Sequence, residues 1–330
     1  MSNMSRRKIL AAGTAGGVMT ATVAAHAAGV FGNPDSPPQG AINTNGKFTD
    51  PGPQNTALAN NLPSFENPPA TDVGGMPVFW SSFNISPKRV QNGGWARQVN
   101  DTAFPISTTI AGVNMRLTAG GIRELHWHQA AEWAVMVYGN VRVTTIDAQG
   151  RPYVADVKTG DIWYFPPGPP PYPFIFRLSD MKPNKANKSG TVQIADSTNF
   201  QVSKTVAAAL VTVKPGGMRE MHWHPNADEW QYYVSGQGRM TVFNAGPAAV
   251  TADFQPGDIG YVLKNLGHYV ENTGNTDLVF LEIFKADKYE EVSLANWLAH
   301  SPAAQVAVTL NMDPAVIARF QKDRAELMPA

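Results

Sequence analysis

The residues of this chain best placed to do chemistry are His222 and His224, two apart in His222-Trp223-His224. Successive side chains on a strand alternate between faces, so both imidazoles leave one face and Trp223 the other. Glu229 follows five residues beyond His224, far enough to return on the same or an adjacent strand with a carboxylate. His268 follows Gly257 with ten residues between them. Three imidazoles and one carboxylate fill four places around a divalent ion and leave two for substrate and oxygen. The competing reading is a set of strand histidines without metal. Cysteine is absent, which excludes disulfides and thiolate chemistry and leaves nitrogen and oxygen as the ligands of any metal.

Such a claw needs strands to hold it. Short runs rich in Val, Ile, Thr, Phe and Tyr, among them 135–138, 141–146, 162–165, 208–213, 232–234, 240–243 and 279–284, are separated by Gly, Pro and Asn. This spacing predicts an all-β sandwich or barrel. Only the C-terminus reads as helix, with Asp313 as N-cap, Pro314 in the first turn, and Val316, Ile317 and Phe320 on one face. Lys and Arg together number 26, as do Asp and Glu, so no long-range field points to nucleic acid and a small ligand is the better expectation.

The chain also repeats itself. Gly120 to Trp133 reads GGIRELHWHQAAEW and Gly216 to Trp230 reads GGMREMHWHPNADEW, one residue longer, and Gly160-Asp161-Ile162 and Gly257-Asp258-Ile259 follow at comparable distances. A repeat with its polar residues in register predicts two similar domains, each built around its own site.

The spacing Gly216-x5-His222-x-His224-x4-Glu229-x6-Gly236, with Gly257 through His268 to Asn272, resembles the two cupin motifs, although Leu263 and Asn265 stand where Pro and Gly are preferred. Longer stretches, including 194–200, 219–226, 229–233 and 280–285, look like the oxalate decarboxylases, a bicupin family, over nearly everything after the leader. That resemblance implies two cupin (double-stranded β-helix, jelly-roll type) barrels with short C-terminal helices. It also implies Mn(II) with dioxygen as co-reactant, and oxalate as a substrate split to formate and carbon dioxide. Under it, Arg219 and Arg123, each three residues before an HxH pair, neutralise and orient a substrate carboxylate. Glu282 holds or delivers a proton. A surface or strand-edge role stays open for the arginines and for Glu282.

The first copy departs from the pattern. His126, His128 and Glu132 match the first motif, but Pro171 stands where the second motif's histidine should be, and proline offers a metal no donor. After Gly168 the text jumps to Pro171-Tyr172-Pro173-Phe174, so the closing strands, the acidic lid and the link that the family carries there are missing. An uncovered barrel edge follows, and the sequence predicts a strained, partly open first domain. Because that lid is usually credited with turnover, three readings compete: a decarboxylase working at the second site, an oxalate oxidase, and an exported metal- or oxalate-binding protein without turnover.

Residues 1–28 read as a twin-arginine-like signal, with Arg6-Arg7-Lys8 before a weakly apolar stretch and a small-residue site at Ala25-His26-Ala27. The expected organisation is a Pro/Asn/Gly-rich leader or arm over 29–75, an incomplete first cupin over 76–171, a second cupin over 172–300 and a C-terminal helical segment over 301–330. Expected too are export to the periplasm or beyond and no membrane association once the signal is removed; for Trp297, Leu298 and the helix beginning near Asp313, a homo-oligomer contact and packing on their own barrel both stay open.

Overall fold

A computed structural model of the chain describes residues 55–146, 149–166, 173–246, 248–323 and 325–330. The expected signal, most of the leader, Gly168 and Pro171 lie outside the described residues. The chain divides into two units, Met1–Pro69 and Ala70–Ala330. In the first, the stretch expected to be extended contains two short helices. Asn55 caps Thr56–Asn61 by accepting from the Leu58 N–H, and Pro63 opens Pro63–Glu66 where its missing N–H costs nothing.

In the second unit the sheets are antiparallel. A seven-stranded sheet runs in the order Trp80–Ser82, Asp258–Val262, Glu229–Ser235, Leu278–Phe284, Ala207–Val213, Gly190–Ala195 and Lys185–Asn187. A second sheet runs Ala248–Phe254, Gly238–Asn244, Gly267–Asn272, Gly217–Trp223 and Val292–Ser293, and Leu327–Pro329 also pairs with Gly217–Trp223. The inward residues of both sheets meet in one core, where Val211, Tyr233 and Phe280 pack with Met240, Val242, Phe254 and Val270. Tyr233 stacks on Phe254 at 4.3 Å and on Phe280 at 5.3 Å. Burying each such apolar side chain contributes roughly 1.5–3 kcal/mol. The expected second jelly-roll barrel is therefore complete.

The first barrel is not. Its strands form three small sheets: Arg89–Gln91 with Gly94–Val99 and Gly112–Leu117; Glu132–Val135 with Ile162–Phe165 and Ile175–Phe176; and Asn140–Ile146 with Pro152–Lys158. Ile122, Leu125, Trp127 and Tyr138 are all more than 80% exposed, so the expected opening is found. The expected strain is not: among the described residues only Asn265 and Asn311 are non-glycines at left-handed φ, and neither belongs to this barrel.

Two strands pair across the expected boundary at 171/172. Trp80–Ser82 joins the edge of the second barrel's sheet opposite Gly260–Asp258, while Ile175–Phe176 returns to pair with Trp163 and Ile162 of the first. Pairing between distant strands, not position along the chain, decides membership. At the C-terminus Asp313 caps as expected, accepting from the Ala315 N–H at 2.8 Å, but the helix is the single turn Pro314–Ile317. Helices Leu294–His300 and Ala303–Leu310 precede it, and Leu298 and Phe320 pack onto Val306, Ala307 and Ile317 of the chain itself.

Candidate metal centre

The second repeat brings its four expected ligands together. Strand Gly217–Trp223 carries His222, and His224 follows directly. Strand Glu229–Ser235 opens on Glu229, and His268 lies on Gly267–Asn272 directly opposite His222 in the ladder. Nε2 of His222, His224 and His268 and Oε2 of Glu229 are buried without an aligned hydrogen bond, and one ligand atom from each residue lies within 4.8 Å of all the others. Glu229 Oε2 stands 2.8 Å from His268 Nε2 and 3.3 Å from His224 Nε2, and four buried polar atoms facing one another in this way are arranged to hold an ion. Each ring is oriented from behind: Nδ1 of His222 to the Glu220 carbonyl at 2.6 Å, of His224 to the Glu290 carbonyl at 2.7 Å, and of His268 to the Leu266 carbonyl at 3.1 Å. Donation from Nδ1 leaves the lone pair on Nε2.

The electrostatics agree. Burial, helped by the Arg219 charge, holds His222 well below the ordinary histidine range and so in the neutral form a metal needs. Burial also opposes charge on Glu229, but His268 and His224 outweigh it and hold that carboxyl well below the usual range. The other Glu229 oxygen accepts from Gln231 Nε2 at 2.7 Å, and Gln231 in turn accepts from the Tyr233 hydroxyl at 2.8 Å. Room for Gln231 comes from Gly260 opposite, where a Cβ would sit 2.7 Å from its Oε1.

The first repeat builds the same claw from other parts. The rings of His126 and His128 stand 5.0 Å apart at 88°, against 5.0 Å and 87° for His222 and His224. His128 Nε2 lies 3.1 Å from Glu132 Oε2 and His126 Nε2 4.0 Å from it. Where the second site sets Gln231 against Gly260, the first sets Ala134 against Trp163, and Trp163 Nε1 donates to Glu132 at 3.1 Å. A large–small exchange across the ladder thus orients either carboxylate. The Gly-Asp repeat has a purely structural use: the glycines take φ of 87° and 94°, and Asp161 and Asp258 accept from the N–H of Lys158 and Gln255. What separates the sites is water. The His126, His128 and Glu132 side chains are 33, 51 and 27% exposed, against 1–2% for His224, Glu229 and His268.

Arg123 pairs with its neighbour Glu124 and is 37% exposed. Arg219 is fully buried, but its fork is already engaged: Nη1 donates to the Glu326 carbonyl at 3.1 Å, and Nη2 donates to the Tyr289 hydroxyl at 2.7 Å and to Glu291. Its Nε stands 3.4 Å from Glu282. Here the guanidinium expected to orient a substrate carboxylate ties together groups of the protein. Glu282 does face inward, fully buried, and accepts from the Tyr289 hydroxyl at 3.2 Å. Sequence reasoning missed Gln231, Tyr289 and Glu291. Gln231 sat in plain view beside Glu229, whereas Arg219, to which Tyr289 and Glu291 both bind, lies 70 and 72 residues from them.

Burial raises the Glu282 carboxyl above its ordinary value, the charge of Arg219 notwithstanding. An acid raised on folding favours the native state below its ordinary pKa, about 4.3, and loses that contribution as pH climbs through the raised value. Metal-free Glu282→Gln is therefore expected to gain melting temperature over the parent as pH rises from about 4 to 8, by roughly 2–4 °C per kcal/mol. Thermal melts across that range check it, and a pH-independent difference contradicts it.

Two β-barrel halves, each presenting an HxH claw and a carboxylate, define a bicupin metal protein. The cupin family profile matches residues 81–172 and 176–318. Oxalate decarboxylase OxdC of Bacillus subtilis is 40% identical over 343 residues, covering 79% of this chain and 89% of that protein. Those 343 residues exceed this chain's whole length of 330, so the relative carries segments absent here. A solved oxalate decarboxylase from work on its substrate binding mode and reaction specificity is 38% identical, with TM-score 0.85, covering 89% of this chain and 99% of that one. Another, from work on the Mn(II) centres of the B. subtilis enzyme, has TM-score 0.82 at 38% identity, covering 86% and 97%. The chain belongs to the oxalate decarboxylase family of bicupins.

Proposed function

We propose that this protein is a manganese-dependent oxalate decarboxylase whose chemistry runs at the second site. The observation that carries the proposal is the buried convergence of His222, His224, Glu229 and His268 in a chain of this family. Neutral imidazoles and a carboxylate, with no thiolate, suit a redox-active divalent ion such as Mn(II), which supplies the one-electron chemistry that cleaving the carbon–carbon bond of oxalate with dioxygen as co-reactant requires. Around it this chain's residues do the rest. Arg219 contributes positive charge through its field, its fork being engaged elsewhere. Glu282, its carboxyl raised by burial, holds a proton beside the reacting carbons for delivery to the nascent formate. The sheets exclude water.

A second reading, oxalate oxidase, is favoured by the exposure of the first site: where no lid acid supplies a proton, oxidation to carbon dioxide and peroxide competes with protonation. Export completes the proposal and is supported by Arg6-Arg7. Loading inside the cell protects manganese, low in the divalent affinity order, from copper and zinc. Self-association is supported by Trp297, which is 58% exposed. One preparation of the mature protein tests the function: metal analysis, then formate and peroxide measured after incubation with oxalate. Manganese with formate in excess is expected. Peroxide in excess selects the oxidase, bound manganese without product selects the binding protein, and zinc or copper in its place overturns the proposal.

A further inference from the structure

The second cage is sealed. Its ligands are 1–3% exposed and Arg219 and Glu282 are wholly buried, so an ion or a small dicarboxylate reaches it only if part of the wall moves. Most of that wall is sheet, locked by the ladders of Gly217–Trp223, Glu229–Ser235, Gly267–Asn272 and Leu278–Phe284. Among its irregular parts is the turn 285–291 between Leu278–Phe284 and Val292–Ser293, which follows directly on the strand that carries Glu282. Lys285, Asp287, Lys288 and Glu290 on it are exposed, while the Tyr289 ring turns inward. That ring lies 5.5 Å from His224 and 5.3 Å from Phe284, and its hydroxyl reaches Glu282 and Arg219.

We infer that the turn 285–291 is the door of the second site, with Tyr289 as its plug and Asp196 as its latch. No ladder holds the turn. It is tied by the Ser197 N–H to the Asp287 carbonyl at 2.8 Å, by Asn226 Nδ2 to the Lys288 carbonyl at 2.9 Å, by His224 Nδ1 to the Glu290 carbonyl at 2.7 Å, and by the Tyr289 N–H to Asp196 Oδ2 at 3.1 Å. Asp196 is itself fixed by the Thr198 N–H at 2.9 Å. It belongs to the 194–200 stretch whose likeness to the family is plain in the sequence but which takes no part in the metal cage. Opening breaks these bonds together with those of the Tyr289 hydroxyl to Arg219 and Glu282 and the pairing of Glu291 with Arg219; it swings Tyr289 off the His224 side of the cage and leaves both barrel sheets intact, a local opening rather than unfolding.

The inference rests on the proposed function only for the presence of a metal, and the test separates the two. In the full chain the rate of Mn(II) loading and the rate of its removal by excess EDTA are compared for the parent, Asp196→Asn, Tyr289→Ala and Tyr289→Phe. A looser latch raises the open population, so Asp196→Asn is expected to speed both rates together by about tenfold, with equilibrium affinity unchanged. Tyr289→Ala does the same, and Tyr289→Phe, which keeps the plug, stays near the parent. Should Asp196→Asn fail to fold, Tyr289→Ala against Tyr289→Phe decides on the same two rates. Equal rates throughout, or faster removal without faster loading, overturn the door. A parent that binds no Mn(II) overturns the functional reading itself.

Discussion

Replacing His268 with alanine is expected to empty the second site while leaving the barrel folded. The imidazole is one of four ligands, and its strand is held by a continuous ladder to Gly238–Asn244 and by one to Gly217–Trp223 that shifts register between Arg219 and His222, neither of which depends on the ring. Removing an outer hydrogen-bond partner of a ligand typically costs 10- to 100-fold in metal affinity. Losing the ligand itself should cost more than that roughly 100-fold. Metal content after dialysis, read beside a melting curve, checks the result: metal lost with a cooperative melt retained is expected. His126→Ala is expected to weaken a site already open to water, with less effect on the melt. If His268→Ala keeps its metal, that imidazole is not a ligand.

Arg219→Ala is expected to produce the largest loss of stability. The guanidinium is wholly buried among Glu282, Glu291 and Tyr289 and also binds the Glu326 carbonyl. Burial opposes its charge, but Tyr289, Glu282 and Glu229 outweigh that and raise its pKa. Removing one member of a buried ion pair leaves the other uncompensated, at about 3–5 kcal/mol. For a chain of this size that corresponds to a fall in melting temperature on the order of 10 °C. Arg219→Lys recovers little of it, because a point charge does not span partners spread along both edges of a planar fork. Thermal melts of metal-free protein separate this loss from any change in metal affinity. A melt within 1–2 °C of the parent, inside the range of ordinary surface substitutions, contradicts the network.

Much of the site was legible in the sequence because its chemistry is local. The i, i+2 histidines, the carboxylate five residues on and the Gly-Asp turn all express strand alternation and turn geometry, and the repeat displayed them twice. Legible too was the opening of the first barrel, since a missing stretch of text is missing strand. What escaped depends on contacts between distant residues. Nothing in Trp80-Ser81-Ser82 announces a partner at 258–260, and nothing in Lys288-Tyr289-Glu290-Glu291 announces a buried arginine at 219. The groups that engage Arg219 escaped for the same reason, because they lie 70, 72 and 107 residues further along the chain. The C-terminal helix was read too long: its apolar spacing is genuine, but the chain leaves the helix after one turn and ends in Leu327–Pro329, paired along Gly217–Trp223.

Anomalous diffraction at the manganese edge from crystals of the manganese-loaded protein asks the central question most directly. The account predicts one strong peak in bonding contact with Nε2 of His222, His224 and His268 and with Oε2 of Glu229. A peak elsewhere with this cage empty, or rings turned away from one another around no ion, would contradict it.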